Sequence, residues 1–178
     1  PDYGIKPVLG IDFRKGAEQL FVGLARNNKG FEELNTFLSH FSHKKQTLPD
    51  EAPFLENTFI IYPFEKVLLS EKTSFGPNEF IGISIENLRR LPFSKYRLDK
   101  ERLVVQQPVT FRNKRDFNAH RLLRAIDNNT LLSKLQHTEQ GNPKEKMWPM
   151  DELLQAYAEF PHIIENTRRL MDSCKIHF

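Results

Sequence analysis

The chain has 178 residues, 39% hydrophobic and 28% charged, with a formal net charge of +3, which bounds it to an ordinary globular domain long enough to bury a real core. Its lone cysteine, Cys174, excludes an intrachain disulfide framework and fits a reducing cytoplasm. No long apolar run and no signal-peptide pattern is present, so neither a membrane partner nor secretion is expected.

Lys6 to Phe13 reads as a strand, with Pro7 at its start and Val8, Leu9 and Ile11 ahead of Asp12. The opening PDYGIKPVLGIDF reads as the end of one unit feeding that strand, so the sequence is expected to begin inside its domain. Arg14 to Gly16 supplies a turn, and Leu20 to Ala25 gives a second apolar strand. Asn27 or Asn28 then caps a helix made amphipathic by Phe31, Leu34, Phe37, Leu38 and Phe41. At its far end His40 and His43 stand three residues apart, a spacing open to one metal but also one that helix C-termini favour electrostatically. A polar loop runs from Lys44 to Pro53, Asn57 to Tyr62 is a strand closed by Pro63, and Ser70 to Asn78 is a second loop. Phe80 to Ile83 is another strand, and Ser84 caps a brief helix over Ile85 to Leu91. This alternation predicts an α/β fold with a mostly parallel sheet.

The stretch from Leu103 to Ile126 joins a buried strand, a basic turn and a helix. Leu103, Val104 and Val105 suit a strand covered on both faces, and Pro108 stops ladder pairing. From Arg115 the period becomes helical: Ala119, Leu122, Leu123 and Ile126 share one face, with Arg121 and Arg124 off it. His120 lies four residues after Asp116, the spacing of a structural pair along a helix. Between Arg89 and Arg124 eleven Lys and Arg face three acids, a net +8 that leaves −5 for the rest of the chain. Arg112, Lys114, Arg115, Arg121 and Arg124 are therefore candidates for contact with nucleic acid or an acidic partner. Beyond, Thr130 caps a short helix, residues 136–146 form a polar linker, and two helices follow, the second starting at Pro161. The predicted organisation is an α/β segment over 1–135, the linker over 136–146, and a helical extension over 147–178 packing on the same domain.

The Leu103–Ile126 unit resembles the last metal-site motif of the PHP (polymerase and histidinol phosphatase) domain of bacterial DNA polymerase III alpha subunits, the C-family DNA polymerases. In that family a strand ends in Asp-x-His and leads into a helix with an Ala-His and a Leu-Leu pair. Ala119, His120, Leu122 and Leu123 match the helix, whereas the Asp position falls on Pro108 and the His position on Thr110. The family's Pro-x-x-Gly-x-Glu strand is matched by Pro7, Gly10 and Asp12, and its next ligand, a His, falls on Leu20, with Gln19 as the one-residue alternative. Asn27 and Gly30 stand where an Asn and a Gly are expected, and Glu165, Asn166 and Thr167 match the Glu-Asn-Thr of a Pro helix at the domain exit.

The resemblance runs from Lys6 to Phe178 and implies the later part of a PHP domain, a partial distorted (β/α)7-type barrel of mostly parallel strands with C-terminal helices. It further implies a platform in DNA replication for the polymerase body or a proofreading exonuclease subunit; the family's chain next enters the polymerase palm, and the nucleotidyl-transfer carboxylates are absent from the sequence ending at Phe178. Asp12 is the surviving metal candidate and no catalytic residue is assigned. No cofactor is expected, with manganese or zinc only if ligands precede residue 1. The alternatives are a metal-dependent phosphoesterase or 3'-5' exonuclease with ligands partly upstream, and a nucleic-acid-binding module built on the basic region.

Overall fold

The computed structural model describes residues 4, 6–16, 18–70 and 72–177. The remaining positions, including most of the opening Pro1–Ile5 segment, lie outside the described residues. The chain forms two compact units, one comprising residues 1–106 and 157–178 and the other residues 107–156.

In the first unit a five-stranded sheet has the order β1 (Gly10–Lys15), β2 (Glu18–Ala25), β3 (Thr58–Pro63), β4 (Glu79–Ile83) and β5 (Leu103–Val105). The pairs β1–β2 and β2–β3 are antiparallel, while β3–β4 and β4–β5 are parallel. The sheet is thus mixed, not mostly parallel, and it is open. A tight turn at Gly16, with φ of +63°, returns β1 onto β2 as a hairpin, which forces the first antiparallel pair.

Helix α1 (Asn28–Lys44) starts as the Asn27 side chain accepts a hydrogen bond from the Gly30 amide at 3.0 Å. Its Glu33 carboxylate takes the Asn57 amide at 3.1 Å and the Thr58 hydroxyl at 3.0 Å, fastening α1 to the start of β3. On this face Phe13, Phe21 and Phe37 meet with ring centroids 4.8 to 6.3 Å apart, and Phe41 and Tyr62 extend the cluster. Aromatic packing of this kind absorbs part of the bias of fifteen Phe against one Trp.

The opposite face is covered by α5 (Pro161–Ser173), with Phe59, Ile61, Val104, Leu170 and Cys174 as its buried centre. Alternation along β2 explains the two-sided core: Val22 and Leu24 go to the α5 side and Phe21 to the α1 side. Cys174 is fully buried, its thiol pushed up by burial, and Sγ donates to the Leu170 carbonyl, so it packs as a small hydrophobe.

A helix not anticipated from the sequence, α2 (Phe64–Ser70), follows Pro63 directly. In place of the helix expected over Ile85–Leu91 come successive 3-10 turns at Ile85–Arg89, Leu91–Phe93, Lys95–Leu98 and Lys100–Arg102. Pro92 has no amide hydrogen for a regular helix, so the chain descends in short tight turns.

In the second unit α3 (Lys114–Asp127) is followed by 3-10 turns at Leu132–Lys134 and His137–Glu139, and then by α4 (Met150–Ala156). The helix expected after Thr130 is therefore a single 3-10 turn.

Candidate functional site

The hairpin places Asp12 and Gln19 side by side. Asp12 Oδ1 accepts from Gln19 Nε2 at 2.9 Å and Oδ2 accepts from Arg14 Nε at 2.7 Å. Gln106, just past β5, reaches across the sheet and donates from Nε2 to Gln19 Oε1 at 2.9 Å. A register shift between Phe13 and Arg14 puts Arg14 opposite Gln19, which lets the guanidinium fold back onto Asp12. A chain of hydrogen bonds thus runs Arg14–Asp12–Gln19–Gln106, joining one carboxylate to one guanidinium and two amides.

Leu20, at a ligand position by resemblance, is fully buried. A divalent transition metal at Asp12 would find one carboxylate and two amide groups, and would have to displace a guanidinium already neutralising that carboxylate. This donor set offers zinc neither imidazole nor thiolate. Among the described residues no group of three or more His, Cys, Asp or Glu is arranged to hold a metal. His40 has Lys44 Nζ 3.4 Å from its Nε2 and packs edge-on to Phe41, so a cation already stands beside that imidazole.

A second polar group in the first unit borders a cavity of about 500 Å³ lined by Pro53, Phe54, Lys72, Gly76 and Glu79 among others. Tyr62 donates its hydroxyl to Glu79 at 3.0 Å and accepts from the Ala52 amide at 3.1 Å. Burial, chiefly, pushes this hydroxyl's pKa far above its ordinary value. Lys72 lies 2.8 Å from Glu51 and 5.0 Å above the Tyr62 ring. These groups satisfy one another and tie two loops to β3 and β4, which is the work of a structural joint.

In the second unit Asn113 caps α3, its Oδ1 accepting from the amides of Arg115 at 2.9 Å and Asp116 at 3.2 Å. Phe117, His120, Arg121, Arg124 and Ala125 make the inward face of this helix. Arg121 Nε donates to Gln140 Oε1 at 2.7 Å, and Arg124 Nε donates to the Glu139 carbonyl at 2.9 Å while its Nη1 pairs with Asp127. His120 Nε2 accepts from the Gly141 amide at 3.0 Å, and its ring lies 5.2 Å from that of Phe111. Asp116 instead approaches Arg112 at 3.9 Å, so the expected Asp116–His120 pair gives way to a histidine held by backbone.

The five basic candidates therefore divide. Arg121 and Arg124 are half-buried and bonded within the unit, whereas Arg112, Lys114 and Arg115 are exposed. The positions named by the resemblance behave differently again: Thr110 donates its hydroxyl to Glu145, and its amide donates to the Glu145 carbonyl at 2.8 Å. Phe111 bridges to Lys146, so residues 136–146 are drawn onto the start and inner face of α3 by backbone and side-chain hydrogen bonds. Sequence reasoning missed this; the one side-chain signal was Gln140, whose amide oxygen accepts from Arg121, whereas Arg124 bonds the backbone carbonyl of Glu139, which no side-chain identity announces.

The chain matches no known protein-family model and no curated protein. Among the described residues no helix is long and apolar enough to cross a membrane.

Proposed function

We propose that this chain is a PHP-like segment of a DNA polymerase III alpha-like protein, serving as a structural and interaction platform in DNA replication in the cytoplasm and carrying no metal chemistry of its own. The observation that carries this reading is the state of Asp12, the surviving candidate ligand, whose two carboxylate oxygens are taken by Arg14 and Gln19. Hydrolysis of a phosphate ester at a multi-metal site needs converging anionic or imidazole ligands and an activated water. Leu20, Gln19, Pro108 and Thr110 supply neither charge nor imidazole at the positions the resemblance marks. The five-stranded mixed sheet is read as part of a distorted (β/α)7-type barrel, and the partners as the polymerase body or a proofreading exonuclease subunit.

Manganese and zinc titration calorimetry, paired with a phosphoesterase assay on this chain and on any longer natural form of it, tests the reading. No micromolar binding and no turnover are expected. Micromolar binding with metal-dependent hydrolysis, lost in Asp12→Asn, would overturn it in favour of a phosphoesterase or 3'-5' exonuclease.

A further inference from the structure

The apolar stripe of α3 faces solvent. Leu122, Leu123 and Ile126 are 52%, 66% and 67% exposed, and Leu131, just past the helix, is 63% exposed. Amphipathic helices ordinarily turn such a stripe to the core. Here the inner face is already occupied, because Arg121, Arg124 and His120 bond residues 139–141 and Ala125 is buried behind them. Large apolar side chains grouped on one exposed surface offer another molecule apolar area to cover.

The charges around the stripe say what kind. Arg112, Lys114 and Arg115 are exposed at its N-terminal end, and Lys134 is exposed in the 3-10 turn that packs on α3 at the other. Asp116 and Asp127, the acids of α3, each lie beside an arginine of the same segment. A rim that is basic at both ends repels a second copy of itself and attracts a surface carrying Glu or Asp around an apolar centre. A helix with Leu at i, i+3, i+4 and i+7 and acids between them has the complementary shape and sign.

We propose that the Leu122–Leu123–Ile126 face of α3 is the docking surface for an acidic amphipathic helix of a partner protein, an inference that rests on the platform reading and names its contact. Binding buries the stripe, while Lys114 and Arg115 speed the encounter and fix its orientation.

The test uses the whole chain and a dye-labelled helical peptide of about 20 residues, Leu at those positions and Glu elsewhere, with a counterpart in which Lys replaces Glu. Fluorescence anisotropy should show binding of the Glu peptide and not of the Lys peptide. Leu123→Ala should weaken it about tenfold, and added salt should weaken it further. Because the stripe is exposed, Leu123→Ser and Ile126→Ser should melt with the parent chain, so loss of binding in them reports the surface and not the fold.

Equal binding of both peptides, binding indifferent to Leu123→Ser, or no binding would each overturn the proposal. So would self-association by sedimentation that Leu123→Ser abolishes, which would make a second copy the occupant. Displacement of the peptide by duplex DNA with Leu123→Ser still fully able to bind that DNA would assign the rim to nucleic acid instead. Failure here without metal-dependent hydrolysis removes the surface and leaves the platform reading; hydrolysis removes the platform reading whatever the peptide does.

Discussion

Asn166 sits on α5 at 5% exposure and donates both hydrogens of its amide to strand and turn carbonyls, Lys100 at 2.7 Å and Leu103 at 2.8 Å. Replacing it with Ala removes these two hydrogen bonds, worth about 1 kcal/mol each, net, together with the one its Oδ1 accepts from Arg169, and strands carbonyls that lose their donor at a further cost of order 1 kcal/mol. A loss of about 2 to 4 kcal/mol follows, or roughly 5 to 15 °C in Tm for a chain of this size. Asn166→Asp should be no milder, since it turns acceptor oxygens toward two carbonyl oxygens. The neighbouring Thr167 accepts from the Val105 amide at 2.8 Å, so Thr167→Val should also destabilise, and the double variant should lose less than the sum because both act on one joint. Urea unfolding followed by circular dichroism measures the cost, and amide exchange at Val105 reports the joint directly. A loss below about 1 kcal/mol for Asn166→Ala, with Val105 exchange unchanged in Thr167→Val, would refute the idea that these side chains hold α5 to β5.

Gly30 lies in the first turn of α1, where an added Cβ would stand 1.9 Å from the Asn57 carbonyl oxygen, a backbone atom that cannot swing aside. Gly30→Ala should therefore lower stability by about 1 to 3 kcal/mol in thermal melts despite its better helix propensity, and a stabilised variant would show that the α1–β3 contact is looser than described. Burial, helped by Lys100, holds His162 below its usual pKa of 6.5, and its Nε2 has no hydrogen-bond partner. The unfolded chain thus takes up a proton first as pH falls, so this contribution to stability is intact above about pH 6.5 and is lost below it. His162→Phe should flatten that part of a stability-against-pH curve, and an unchanged slope would place the titration elsewhere.

The strand cores were legible wherever apolar residues came in short runs bounded by Pro or Gly, as at Phe59–Ile61 and Leu103–Val105. Pairing direction was not, because a run such as Leu20–Ala25 reads the same in either orientation and only the Gly16 turn decides it. Caps at Asn27 and Asn113 follow from local side-chain chemistry, and the first was anticipated. The start of α2 was hidden because Pro63 ends β3 and the seven residues after it carry too little period to separate a helix from a loop. At the candidate site the identities of Asp12, Gln19 and Leu20 could be named from the sequence, but their bonding could not. Arg14 reaches Asp12 through a bulge, and Gln106 lies 87 residues from Gln19. The α3 stripe shows the limit most sharply: the pattern located an apolar face, and the bonding of Arg121 and Arg124 turned it outward.

The joint between β5 and α5 also dictates an order of events during synthesis. Val105 and Thr167 are separated by 62 residues, with the whole of the second unit made between them. At a ribosomal pace of about 5 to 20 residues per second, β5 leaves with its edge uncovered for roughly 3 to 12 s before its partner helix is available. During that window the nascent chain presents Leu103–Val105 as a bare strand edge, and recognition by a chaperone, or pairing with another nascent chain, has its best opportunity there.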